Sequence, residues 1–434
     1  YNYDGISTTT SGTLLIAVDG VQQPSKTATI AGDGTWSFDN ITFFDGDVIT
    51  VFASTSVAAD QMMGVTVYDG TPEITGMVLQ KQHLTLGSDD NASVTNADIG
   101  TYDSANDSRM FAAVDGGNDL DLCTTSGCET AGLVVLANNA YTPESGADLI
   151  THDVLNDGTV TLIDNTLRVS GSWDDNATTS MAASTVIMTA TSTTESIDTT
   201  GALAGSFNNL IFGETSGAAT WNLTNALDVD GDLTIDYGTV ARTTQEITIA
   251  NDLNVGAAGF ISGIATTTFD GSSVSIWTDA NATEQNIGHT VVDGTSHILL
   301  LGSDTTAQSV TVVSGNTIDL STGSRTLTVL EGWQNLGTLQ SQNSAVDFVA
   351  TTAGQVINNT TGAFYDLTFS GVSGGWSFTQ SNLDVNHDVS IATGTVTMPT
   401  GITTIGGSFV NTGGLFAHNN ATIEFDGSGS ETIT

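Results

Sequence analysis

The stretch LDVDGDLTIDYGTV, residues 227–240, sets Asp228, Asp230 and Asp232 at alternate positions and invites reading as a calcium loop. An EF-hand loop needs glycine at its sixth position and a bidentate glutamate at its twelfth. Counted from Asp228, those places hold Leu233 and Thr239. The same stretch returns as LDVNHDVSIATGTV, residues 383–396. There Leu227, Val229, Leu233 and Ile235 become Leu383, Val385, Val389 and Ile391, while Asp230 becomes Asn386 and Gly231 becomes His387. The apolar spacing repeats and the oxygen ligands do not. The stretch is therefore a structural rung.

Working outward, Val229-x3-Leu233 recurs twenty residues on as Ile249-x3-Leu253, and Val385-x3-Val389 as Ile405-x3-Phe409, with Phe269 and Phe425 marking the next step. A longer repeat contains this one. Residues 167–197 align without gaps to 327–357, bringing Val169, Trp173, Val186 and Ile197 onto Val329, Trp333, Val346 and Ile357. Equivalent anchors fall 76–80 residues apart, so about four short units make one repeat of about 78 residues. The segments show no helical i, i+3, i+4 spacing; β-branched residues punctuated by Gly, Asn and Asp dominate. A twenty-residue unit of this kind predicts one coil of a parallel β-helix, each coil burying alternate apolar side chains and hydrogen-bonding its neighbours.

The expected fold is thus all-β: a right-handed parallel β-helix solenoid over residues 76–434, roughly 18 coils of about 20 residues. Right-handedness is a prior from related folds. Residues 1–75 read as a small immunoglobulin-like β-sandwich, from the short strands GTLLIAVDG, ATIAGDGTWSF, DVITVFAST and GVTVYDG and a tight turn at Gly32–Gly34.

The chain has 434 residues, 48 of them acidic and 6 basic, for a formal charge of −42. Nucleic acid is excluded as a partner on this balance, because phosphate must be neutralised by Lys and Arg. No apolar run is long enough to span a bilayer. Cys123 and Cys128, in LCTTSGCET, are too far apart for a CxxC motif; a local disulfide across a turn is expected, with two free thiols as the alternative.

The phrases GSFNNLIFG, GAFYDLTFSG, LDVDGDLTI, TATSTTESI and IEFDGSGSETIT resemble those of giant repetitive surface proteins of uncultured small-genome bacteria, which combine immunoglobulin-like modules with filamentous-haemagglutinin-like β-helix repeats. The resemblance spans most of the chain. It implies an extracellular, cell-surface adhesin, sheath or filament component and transfers no functional residue.

Parallel β-helices also serve as polysaccharide lyases and glycosidases. A lyase needs clustered basic residues, and Lys81, Arg109, Arg168, Arg242 and Arg325 are scattered along the expected helix. Hydrolysis needs two carboxyl groups at a set separation, but most carboxylates stand in turn phrases such as FDG and VDG, where Asp caps turns. No catalytic residue is expected; any site should lie in 88–150, where the rhythm is poorest. His83, His152, His289, His297, His387 and His418 form no HxH or HExxH and read as wall residues. Trp173 and Trp333 exchange with Leu253 and Phe409 at equivalent positions, which assigns them to the core. Calcium is the one candidate cofactor, at Asp115, Asn118, Asp119 and Asp121 of DGGNDLD, with diffuse cation screening as the alternative. The expected function is a non-enzymatic structural segment of a surface filament, sheath or stalk, and the rival is a glycan-binding adhesin or a carbohydrate-active enzyme. The chain stops within a repeat phrase, so its expected partners are further modules of a longer chain or a second copy docked head to tail.

Overall fold

The computed structural model describes residues 12–70, 73–90, 92–122, 131–199, 207–321 and 323–434. The structure is nearly all β, a solenoid of about 16 turns at roughly 21 residues per coil. The chain divides into two compact units, residues 1–225 and 226–434.

In the second unit the repeat spacing read from the sequence is the stacking register. Val229 lies beside Ile249, Ile249 beside Phe269, Phe269 beside Val292 and Val292 beside Val312, all in parallel pairs. The ladder continues through Asn335 and Asn359. The apolar members are fully buried, and each contributes on the order of 1.5–3 kcal/mol by leaving water. Where the ladder turns polar, amides take over: Asn335 Nδ2 donates to Asn359 Oδ1 at 2.7 Å and to the Thr361 carbonyl at 2.9 Å. Strands of three or four residues suffice because alternation places one or two side chains inward per strand, as in Leu227–Val229, whose ends are buried and whose middle is exposed.

The first unit uses the same device. Leu84, Leu133, Val154, Trp173, Ile197 and Leu223 form one inward ladder. Trp173 sits beside Ile197 here, as Trp333 sits beside Ile357 in the second unit. Coils are unequal: Thr166 pairs with Thr185, but Thr194 pairs with Thr220. Such longer excursions are why fewer coils form than a strict twenty-residue period predicts. The largest is the arrhythmic segment, which separates the paired residues Leu84 and Leu133. It contains a short helix, Asn96–Gly100, closed by a capping box between Thr95 and Asp98. Buried Tyr141 donates to Asn96 Oδ1 at 2.6 Å and fastens the helix to the coil.

Ahead of the solenoid, β1 (Thr13–Val18) pairs antiparallel with β2 (Val21–Thr29) and β3 (Val48–Ala53), and β3 with β4 (Met63–Val67). β4 then pairs in parallel with β5 (His83–Leu86), so this sheet runs directly into the first coil. An immunoglobulin-like sandwich is not confirmed. The expected turn is present, Gly34 N–H donating to the Ala31 carbonyl at 2.9 Å. Beyond it, however, Trp36, Phe38, Ile41 and Phe43 pack on the sheet from an irregular segment.

Candidate functional site

The acidic residues of the opening stretch have structural duties. Asp232 Oδ1 accepts the Asp252 N–H at 3.2 Å, one coil further on, and Asp252 Oδ1 accepts the Ile276 N–H at 2.8 Å. The device recurs with Asp153 and Ser172 (2.7 Å), and with Asp304 and Thr326 (2.9 Å). At coil corners the backbone turns out of the ladder and leaves N–H groups unpaired; a short carboxylate satisfies them. This accounts chemically for these corner carboxylates. Partial burial, with Asp230 and Asp270 close by, raises the pKa of Asp228 above the usual carboxylate range.

The calcium candidates are similarly engaged. Asp115 Oδ1 accepts from the N–H groups of Gly117 (2.7 Å) and Asp119 (3.1 Å), closing the hairpin between Ala113–Val114 and Leu120–Asp121. Asp119 Oδ1 accepts from Asp148 N–H at 2.7 Å, and the Asn118 carbonyl accepts from Asn96 at 2.7 Å. Asp121 is half-buried at the end of that hairpin. Cys123 and Cys128 lie outside the described residues.

Trp173, Trp221, Trp277, Trp333 and Trp376 are at most 1% exposed, which removes them as sugar-stacking platforms. Five of the six basic residues are tied down as well. Lys26 donates to the Asp39 and Asn40 carbonyls, Lys81 pairs with Asp60, Arg109 with Asp107, and Arg168 with Glu214 at 3.0 Å. Arg242 is buried, donating to the carbonyls of Thr266 and Ile287 and to Thr267 Oγ1. His297 is fully buried, its Nε2 2.9 Å from Ser275 Oγ, and burial depresses its pKa.

Among the described residues, one group of three acidic, histidine or cysteine side chains brings its ligand atoms within 4.8 Å of one another: Asp366, His387 and Asp388. Asp366 begins the strand Asp366–Phe369, and His387 and Asp388 directly precede Val389–Ile391. Leu367 and Val389 are paired in register, so the residues before them, Asp366 and Asp388, face the same corner on successive coils. His387 Nδ1 lies 2.7 Å from Asp366 Oδ1 and 3.8 Å from Asp388 Oδ2. Asp388 Oδ1 accepts the Ser408 N–H at 2.7 Å, and Asp366 Oδ1 accepts the Asp388 N–H at 3.1 Å. The imidazole is stacked on Tyr365, centroids 4.8 Å apart and planes 12° from parallel. Hydrogen bonding to Asp366, aided by the charge of Asp388, raises the pKa of His387. Neither a divalent-residue motif nor an HxH pattern marks this cluster in the sequence. The signal is the coil period: Asp366 lies one coil before Asp388.

Compared with known protein families, curated proteins and solved structures, the chain matches none.

Proposed function

We propose that this chain is a non-enzymatic structural protein of the cell exterior, a segment of a surface filament, sheath or stalk. The observation that carries the reading is how the polar side chains are used. Corner carboxylates bind the backbone of the next coil, and the tryptophans fill the core. Five of the six basic groups, which a polyanion-cleaving site would need, are held by carboxylates or carbonyls. Side chains spent on holding coils together favour a scaffold over a reaction centre. The resemblance of its repeat phrases to those of giant surface proteins favours the cell exterior, and the −42 charge suits a hydrated, self-repelling wall.

The natural partner of such a coil is another coil. Because each coil of a solenoid buries its core against its neighbours, a further coil, from a longer chain or from a second copy docked head to tail, is the proposed partner.

Immunogold microscopy of native cells, with antibodies raised against this chain, tests the reading. Label on extended surface structures of unpermeabilised cells is expected. Label confined to the cell interior, or turnover of a polysaccharide by the purified chain, would overturn it.

A further inference from the structure

We propose that Asp366, His387 and Asp388 form a binding site for a divalent first-row transition ion, with zinc as the reference ion, and that the bound ion ties two successive coils together.

The argument begins with the ladder. Parallel stacking puts residues in register about 4.8 Å apart. Two carboxylates so placed repel each other; Asp228 and Asp384 instead face Thr248 and Thr404, while Asp232 and Asp252, stacked at one corner, have a backbone N–H between them. Asp174 and Asp198 make an in-register acidic pair, but within strands and with no imidazole among the charges acting on Asp174. At the Asp366 corner an imidazole stands between the two carboxylates.

The distances suit a small ion bound by nitrogen and oxygen. With bonds of about 2.0–2.1 Å, ligand atoms at the vertices of a tetrahedron lie about 3.3 Å apart. The two oxygens stand 2.7 and 3.8 Å from His387 Nδ1, on either side of that value and within a side-chain adjustment of it. Calcium is the poorer fit, since it takes six to eight oxygen ligands.

Each ligand is also aimed by a second group. The Ser408 N–H holds Asp388 Oδ1 and leaves Oδ2 facing the ring. The Asp388 N–H holds the Asp366 carboxylate. Tyr365 fixes the imidazole plane by stacking, and its carbonyl accepts the backbone N–H of His387 at 3.1 Å. Such outer contacts orient metal ligands before the ion arrives. The corner is open enough for entry, His387 and Asp388 having side chains 44% and 46% exposed. Water would complete the coordination.

The test uses the full chain, stripped with a chelator and titrated with Co2+ in excess magnesium, which occupies diffuse acidic sites. One equivalent of Co2+ with the intense visible absorption of a four- or five-coordinate ion is expected, displaced by Zn2+. His387→Gln and Asp388→Asn should each weaken binding at least about tenfold, while Asp174→Asn should leave it unchanged. Circular dichroism checks that each variant is folded, and two independent ligand variants keep the test intact if one is not. Absence of the cobalt absorption in the wild-type chain, or its persistence in folded His387→Gln and Asp388→Asn, would overturn the proposal.

Discussion

Replacing Trp333 with alanine removes the largest side chain from the inward ladder between Val310 and Ile357. The ring is 1% exposed and packs against Phe364 at 5.7 Å and Phe348 at 6.4 Å. Truncating a buried tryptophan costs about 3–5 kcal/mol, combining lost transfer energy with the cavity left behind. Losing two aromatic pairs, each worth roughly 0.5–1.5 kcal/mol, places this site toward the upper end. The hydrogen bond from Trp333 Nε1 to Asn359 Oδ1 is long, 3.4 Å, and adds little. Urea unfolding followed by circular dichroism measures the loss. Hydrogen exchange over residues 310–370 localises it, because a solenoid need not unfold in one step. Trp173→Ala in the first unit should behave alike, since Phe207 packs on that ring at 5.2 Å. A loss below about 1 kcal/mol with unchanged local exchange would refute the core assignment of these rings.

Three further outcomes are expected. Gly259→Ala should unfold its coils, because a Cβ there would meet the Ile235 carbonyl oxygen at 1.8 Å; Gly116→Ala, with nothing within 4 Å, should be close to neutral in the same thermal melt. Burial holds His297 neutral, so the folded protein binds its proton less readily than the unfolded chain. Its contribution to stability is therefore full above the ordinary imidazole value of 6.5 and is lost as pH falls below it. His297→Gln should flatten the fall in stability between about pH 7 and pH 5, measured by urea midpoints. Arg242→Ala should cost on the order of 3 kcal/mol, since it leaves a void and deprives the Thr266 and Ile287 carbonyls of a donor; Arg242→Met, which refills the space, should recover part of that loss in the same titration.

The coil stacking was legible in the sequence because a solenoid repeats its environment. Val229, Ile249 and Phe269 occupy one inward position, so each must be apolar, and their spacing is the register itself. The unequal coils were less legible. Thr194 pairs with Thr220 but Thr166 with Thr185, and residues added between strands leave the inward ladder undisturbed. At the N-terminus, strand-like composition could not distinguish a sandwich from one sheet running into the first coil. Both require Leu14, Val51 and Val65 to be buried, and only pairing partners separate them. Side-chain clusters were less legible than the stacking, for a single reason. Asp115 and Asp119 are close in sequence but satisfy backbone N–H groups. Asp366 and His387 are far apart in sequence, yet the stacking brings them to 2.7 Å. Motifs are sought along the chain, whereas a solenoid assembles its side-chain clusters across coils.

The account rests on coil-to-coil register, and disulfide mapping tests it most directly. Thr248 and Thr268 are paired in register and partly exposed on the outer face, whereas Thr267, one position away, points inward. Stacked strands hold such a pair about 4.8 Å apart, inside the roughly 4.4–6.8 Å range that a disulfide spans. Cysteines are introduced as Thr248→Cys with Thr268→Cys, and separately as Thr248→Cys with Thr267→Cys. Each protein is oxidised mildly while folded, and the bonds are identified by mass spectrometry of proteolytic peptides. The account predicts efficient bonding between positions 248 and 268 and little or none between 248 and 267. Equal bonding in both proteins, or none in the first, would contradict it.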